Sequence, residues 1–408
     1  MLFRSPLSSV ALLASMFPLS SAAAAAQTLT PICQPVVTGP IIVASHDQTI
    51  AAGKRAEPPL INTKGFGFAW PDTQMGVIKV DGGYEFFTSD GAFHPRQFWH
   101  GEWVGNNNYG SVTTTVGTLD NPLGTGNPQD VTISPNPDPG VNPNYTSYGY
   151  IGGGPVFQVP ASMTGAGNLL LGYHAELPAN MLYAVHGLAA SWDNGLHWLD
   201  LGEVVRPNQS YAPNLPGFDE IGDGPLVLSP DGKYFYFYFP DWPAGTTGEG
   251  GPNATKVSVA RAPVASVLEA AFGSNRPHTV AFEKFYQGNW HLQPGIGGAS
   301  TDLIPKSQYT GYLDVHYNSA LRRYVLITSD DTNFAYAESV DGLSWTLPTL
   351  LGDFGHGDIA AHPTSVGFGD DPSILGKAFF VYYTFLHPAN GGLAREHNSV
   401  RRLTLTCP

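Results

Sequence analysis

The chain has 408 residues, with 48 Gly and 35 Pro, and is 42% apolar, 12% aromatic and only 13% charged. So small a charged share excludes helix bundles and coiled coils, whose outer faces need Glu, Lys and Arg, while the apolar content is too high for intrinsic disorder. The net charge of −14 opposes a phosphate-tracking nucleic-acid binder and leaves a large, turn-rich, mostly β protein.

At the N-terminus one positive charge, Arg4, precedes an apolar stretch and then small residues near 24–26. This pattern predicts a secretory leader over 1–26. Pro6 and Pro18 interrupt the run that a membrane span needs, so no membrane partner is expected. Residues 27–408 are then expected to be one secreted, extracellular, monomeric domain. In an exported chain Cys33, just after the leader, and Cys407, next to the end, are expected to pair and so tie the first strand to the last. Sequons at Asn144, Asn208 and Asn253 are expected in glycosylated surface loops.

Five units follow along the chain, starting at Met75, Gly153, Asp223, Leu313 and Thr364. Each is a short strand, a Gly/Asp/Asn turn and a second strand, as in MGVIKVDGGYEFFTSD and DGPLVLSPDGKYFYFYFPD. Third strands follow in HGLAASWDNGLHW, TKVSVARAPV and FAYAESVDGLSW. The one stretch with a helical period is VASVLEAAF at 264–272. Units recurring about every 70 to 90 residues in most cases predict an all-β, five-bladed β-propeller. A sandwich or β-helix explains the strand pairs but not their recurrence.

Two third strands end in a recognisable turn. Ser191-Trp-Asp193-Asn-Gly195-Leu-His-Trp198 fits the S-x-D-x-G-x-x-W Asp-box of sialidase-like propellers, and Ser339-Val-Asp341-Gly-Leu-Ser-Trp345 is a variant one residue shorter. The Asp caps the turn, the Gly accepts a positive φ and the Trp packs beneath, so Asp193 and Asp341 are read as structural.

Blade topology sorts the remaining acids. If the first strand of a blade starts at the upper face, its second strand ends there, and the turn between them lies below. Asp81, Asp231 and Asp371 then belong to lower turns. Asp72, Asp223 and Asp314 stand at first-strand starts, and Asp90, Glu176, Asp241, Asp330 and Asp331 at second-strand ends. His174, His316, His362 and His387 are placed similarly. A ring of carboxylates at one mouth suits glycoside hydrolysis, which needs one acid to protonate the leaving oxygen and a second carboxylate as base or nucleophile. Asp72 and Asp90, both from blade one, are the first candidates, followed by Glu176 and Asp223. For any single acid a turn cap or ligand acceptor is the competing role. Trp70, His94, Arg96, Trp99, His174, Asp314 and His316 are candidates to hold a sugar, by ring stacking and by hydrogen bonds to hydroxyls. The aromatics after Asp90 would otherwise plug that loop against its blade.

The segments FAWPDTQMGVIKVDGGYEFFTSD, GYHAE…GLAASWDNGLHWLDLG and VHYNSALRRYVLI…ESVDGLSW resemble five-bladed propeller glycosidases that cleave furanose polymers. They are most similar to the endo-D-arabinanase group. The resemblance runs over most of residues 62–386. It implies hydrolysis of arabinan-like furanosides by two blade-one aspartates, which Asp72 and Asp90 match in placement. The Asn-Asp-Pro-Asn-Gly and Arg-Asp-Pro signatures of fructan-cleaving relatives are missing, as is a sialidase arginine triad. A non-catalytic carbohydrate-binding propeller and a polysaccharide lyase using His94, His174 or His316 are the alternative readings. No cofactor is required. A structural Ca²⁺ at the axis, ligated by Asp or His and water, is compatible with the same residues.

Overall fold

The computed structural model describes residues 29–45, 60–61, 67–68, 73–88, 110–122, 124, 129–138, 140–144, 148, 150–177, 183–211, 218–246, 256–274, 277–304, 307, 311–386, 388–389, 392–393 and 399–408. The leader, Trp70, Asp72, Asp90, His94, Arg96, Trp99, Asn253 and His387 lie outside these residues.

The chain forms a five-bladed propeller. From the axis outward, blade one is Gly76–Val80, Gly83–Thr88, Gly110–Gly117 and Gln129–Ser134. Blade two is Tyr150–Gln158, Leu169–Leu177, Tyr183–Ser191 and Trp198–Val205. Blade three is Leu226–Leu228, Tyr234–Thr246, Lys256–Pro263 and Glu283–Tyr286, with Asn289–Pro294 added outside. Blade four is Leu313–Asn318, Arg323–Ser329, Asn333–Ser339 and Thr349–Asp353. The predicted helix is present as Val264–Phe272, on the lower side of blade three.

Blade five is completed from both chain ends. Ile359–Val366, Ala378–Leu386 and Ser399–Thr406 come from the C-terminal part, and the outermost strand is Val36–Ser45, antiparallel to Ser399–Thr406 with Val36 opposite Thr406. The expected Cys33–Cys407 disulfide is formed beside this pair, with Cα atoms 5.5 Å apart. Blade four anchors the same end, because the backbone N–H groups of Ile32 and Cys33 donate to the fully buried Glu338 carboxylate (3.0 and 2.8 Å).

Each blade packs on both faces, so its middle strands are continuous apolar runs rather than alternating ones. All nine residues of Tyr183–Ser191 are buried. Among the described residues the core is accordingly divided into five clusters, one at each blade seam. Leu171, Tyr173 and Ile78 meet between blades one and two, and Leu170, Phe235 and Phe237 between two and three. Tyr238, Val315 and Leu326 fill the next seam, Ile327, Phe379 and both cysteines the fourth, and Phe86, Tyr382 and Val400 the closing one. Such a ring has no seam without a core, which is why closure at blade five matters to every other blade.

The two Asp-centred turns behave as read. Asp193 Oδ1 accepts from Ser191 Oγ and His197 N (both 2.9 Å), Gly195 has φ 88°, and Trp198 lies beneath with its ring 6.0 Å from Phe87 in an edge-to-face contact. Asp341 accepts from Ser339 Oγ (2.9 Å), and Gly342 has φ 75°. Trp198→Ala is expected to cost about 3–5 kcal/mol in urea unfolding, because a ring only 2% exposed leaves a cavity between two blades.

Asn144 departs from the expected surface loop. It is half-buried, and its Nδ2, the atom a glycan would use, donates to Glu203 Oε1 (3.2 Å). Glu203 also takes Arg206 and the Tyr148 hydroxyl, and Tyr148 bonds Asn142, which clamps this loop to blade two. Asn208 is exposed, as expected.

Candidate active site

The upper mouth is where first strands begin and second strands end. Asp223 precedes the short inner strand of blade three in the sequence Ile221-Gly-Asp223-Gly-Pro225. Its two glycines are there for close approach. A Cβ on Gly224 would lie 1.8 Å from the Tyr238 carbonyl oxygen, and one on Gly222 3.0 Å from the Pro240 ring. The backbone therefore runs tight against the second strand and pushes the Asp223 carboxylate, 9% exposed, toward the axis.

Across the axis, blade five supplies the partner. His362 Nδ1 stands 3.1 Å from Asp223 Oδ2, over a sequence separation of 139 residues. His362 has φ 51° and lies at a β-bulge between Ala361 and Thr364, just before Pro363. A non-glycine residue in the left-handed region within a first strand is sparsely populated backbone, and such departures gather at functional sites. The bulge turns the imidazole out of the strand's ordinary alternation. Its ring packs on Tyr312 of blade four at 4.4 Å between centroids.

Blade two contributes the third side. His174 and Glu176 share one face of the second strand, with His174 Nε2 3.4 Å from Glu176 Oε1. His186 stands directly opposite His174 in the hairpin, their rings 5.7 Å apart. His186 Nε2 is 2.5 Å from the Gly222 carbonyl oxygen, and its ring lies 4.4 Å from Phe237. That contact makes Nε2 the protonated nitrogen. Burial, reinforced by His174, lowers its pKa to about 3, so the imidazole is neutral at ordinary pH.

For Asp223, burial pushes the carboxyl upward, but the His362 imidazole, through charge and hydrogen bond, with lesser help from His174 and His186, holds it below the ordinary aspartate value. The mouth therefore pairs an ionised, nearly water-free carboxylate with a second carboxyl, Glu176, whose side chain is 20% exposed. These are the two kinds of group that general acid–base and nucleophilic chemistry need.

The predicted residues divide accordingly. Glu176, Asp223 and His174 come together at the mouth. Asp314 and His316 lie lower in the shaft. Asp314 is 2% exposed, accepts from Ser365 N (2.6 Å) and stands 3.1 Å from His316 Nε2, while His316 Nδ1 is 2.8 Å from the Ser373 carbonyl. Their contacts fasten blade five to blade four. In His316 burial lowers the pKa and Asp314 outweighs it, so the imidazole titrates above its usual value. Asp241 is held by Ser300 Oγ, and Asp330 caps its turn by accepting from Asn333 N (2.8 Å). Asp72, Asp90, Trp70, His94, Arg96 and Trp99 lie outside the described residues.

Sequence reading missed His186 and left His362 without a role. Aligning the hairpin register would have found the first, since His186 faces His174. Pro363 marks the second, because a proline inside a strand signals a bulge. Among the described residues no group of three or more His, Cys, Asp and Glu side chains converges to hold a metal ion.

The chain is similar in structure to several carbohydrate-active enzymes. The catalytic domain of a Coprinopsis cinerea α-L-arabinofuranosidase is 13% identical, covering 92% of this chain and 97% of that one, with a TM-score of 0.47. An α-L-arabinofuranosidase from Podospora anserina, solved with cellotriose, is 12% identical over 92% and 98%, with a TM-score of 0.44. An exo-β-1,3-galactanase from Clostridium thermocellum is 13% identical over 89% and 62%, with a TM-score of 0.45. No family model and no curated protein matches the chain.

Proposed function

We propose that the protein is a secreted glycoside hydrolase acting at the upper mouth of the propeller, with arabinan-like furanosides as its substrate class. The observation that carries this reading is the Asp223–His362 pair at 3.1 Å, brought from blades three and five into one mouth beside Glu176. The resemblance of residues 62–386 to furanose-cleaving propellers selects the substrate class, and Asp72 and Asp90 remain the first choice for the acid–base pair.

In such a reaction the C–O bond to the leaving sugar breaks as one carboxylic acid gives its proton to the leaving oxygen. The second carboxylate either takes a proton from the attacking water or bonds first to the anomeric carbon and is then displaced by water. An ionised Asp223 suits a base, a nucleophile or a stabiliser of the oxocarbenium-like charge. It does not suit the proton donor, which must be protonated at working pH.

The test is incubation with a panel of arabinans, galactans and fructans, reading reducing ends for wild type, Asp72→Asn, Asp90→Asn, Glu176→Gln and Asp223→Asn. New reducing ends with wild type, and losses of about 10²–10⁴-fold in the variants of the acting pair, are expected. Full activity in both blade-one variants would remove Asp72 and Asp90 from the chemistry. A product absorbing in the ultraviolet would identify a lyase instead, and binding without any cleavage would identify a lectin.

A further inference from the structure

The opposite end of the axis is also shaped to receive a ligand. A cavity of about 250 Å³ opens on the lower face, where the inner strands of the blades end. Tyr317, Leu228 and Ile374 form its apolar wall, His316 its inner end, and Ser319 and Asp371 part of its rim.

From Tyr317 an aromatic track runs outward along the seam between blades three and four. Ring centroids step 5.6 Å from Tyr317 to Tyr324, 6.3 Å from Tyr324 to Tyr236, and 6.0 Å from Tyr236 to Trp290. Tyr324 is buried, but Tyr317, Tyr236 and Trp290 each keep part of their surface in solvent. Tyr236 and Trp290 pack on the seam and Arg261 lies over Trp290, whereas Tyr317 brings its part-exposed ring to the cavity wall.

The charges around this groove are already matched. Arg261 lies over the rings of Tyr234 and Trp290 at 4.1 and 4.0 Å and bonds Glu283 at 2.8 Å. Asp371 accepts from Ser373 N and Oγ, and Asp231 pairs with Lys233. Among the described residues no Lys or Arg lines the cavity. The base among the described lining residues, His316, is already held by Asp314 at 3.1 Å, so an anionic ligand would meet a matched histidine and a chain of net charge −14. A neutral, hydroxyl-rich ligand would find the part-exposed Tyr317 ring for its C–H surfaces and the Asp371 and Ser319 oxygens for its O–H groups.

We propose that the lower-face cavity and its aromatic track form a second carbohydrate-binding site, which holds a neutral glycan while the upper mouth acts on the same polymer. The inference rests on the reading of the chain as polysaccharide-active and adds a place where that polymer is held without being cleaved.

Affinity electrophoresis of the full chain in gels containing soluble arabinan, arabinogalactan or levan tests it, with wild type, Asp223→Asn, Tyr317→Ala and Ser319→Trp side by side. Retardation by at least one polymer is expected to persist in Asp223→Asn and to weaken about fivefold or more in the two lower-face variants, the worth of one lost ring contact. Their turnover of short oligosaccharides should stay at the wild-type level. Tyr317→Ala removes packing against Tyr324, so Ser319→Trp, which adds bulk at an exposed rim, is the variant that separates blocked binding from lost folding. Wild-type retardation in both lower-face variants, or no retardation of the wild type in any gel, would overturn the site. Retardation that depends on Tyr317 and Ser319, in a protein that cleaves none of the polymers, would leave this site standing and overturn the hydrolase reading alone.

Discussion

Asp223→Asn is expected to lower kcat on the cleaved glycan by about 10³-fold, with a much smaller change in KM. The substitution keeps shape and an acceptor for His362 Nδ1 but removes the negative charge, so the loss would report charge rather than packing. His362→Phe supplies the complementary result. It keeps an aromatic ring against Tyr312 and takes away the group that opposes burial at Asp223. With burial then opposed only by the lesser contributions of His174 and His186, the carboxyl titrates higher, and the acid limb of the kcat–pH profile should move to higher pH. The same linkage acts on stability. A carboxyl held low in the native state contributes stability above its unfolded value, near 4, and that contribution is lost as pH falls through the lowered native value. His362→Phe should therefore also weaken the protein most above the unfolded carboxyl value near 4, where the advantage of the lowered native carboxyl is fully present. Other titratable groups face Asp223, namely His174 and His186, but His186 is neutral and cannot substitute for His362. An acid limb that stays in place in His362→Phe would show that the pair does not set the ionisation of the site.

Replacing both cysteines, Cys33→Ser with Cys407→Ser, is expected to cost about 4 kcal/mol of stability. The bridge closes a loop with a sequence separation of 374 residues, and both cysteines are only 3% exposed in the cluster between blades four and five. Without it the Val36–Ser45 strand is held to blade five by its pairing with Ser399–Thr406 and to blade four through Glu338. Those contacts hold one strand, whereas closure protects five seams. Urea unfolding followed by tryptophan fluorescence checks this. The variant should unfold at a lower midpoint than oxidised wild type and at the same midpoint as reduced wild type. Coincidence of the variant with oxidised wild type would mean that strand pairing alone closes the ring.

Much of the architecture was legible because its signals are local. A strand, a Gly/Asp turn and a return strand can be recognised within about twenty residues, and five such units at blade spacing imply a propeller. The Val264–Phe272 helix, the turns at Asp193 and Asp341, and the lower-turn placement of Asp81, Asp231 and Asp371 were readable for the same reason. Glu176 and Asp223 were placed at the mouth by counting strand direction alone. Asp314 and His316 were placed there too, and they mark where counting stops. Strand direction orders residues along the axis, but one layer of difference decides whether a side chain meets the mouth or an adjoining blade. Ser365 N and the Ser373 carbonyl, which hold Asp314 and His316, come from a blade whose approach no local pattern describes.

By itself the sequence determined a closed all-β ring, the positions of its turns and the pairing of its two cysteines. These follow from backbone preferences and hydrophobic runs that act between near neighbours. Only the tertiary structure decided which charges meet. The Asp223–His362 pair needs two glycines that let blade three run close to its own second strand, a positive φ at a bulge in blade five, and a ring closed well enough to bring the two across the axis. Each condition is set by contacts between residues far apart in the chain, and the free energy that enforces them comes from five packed seams.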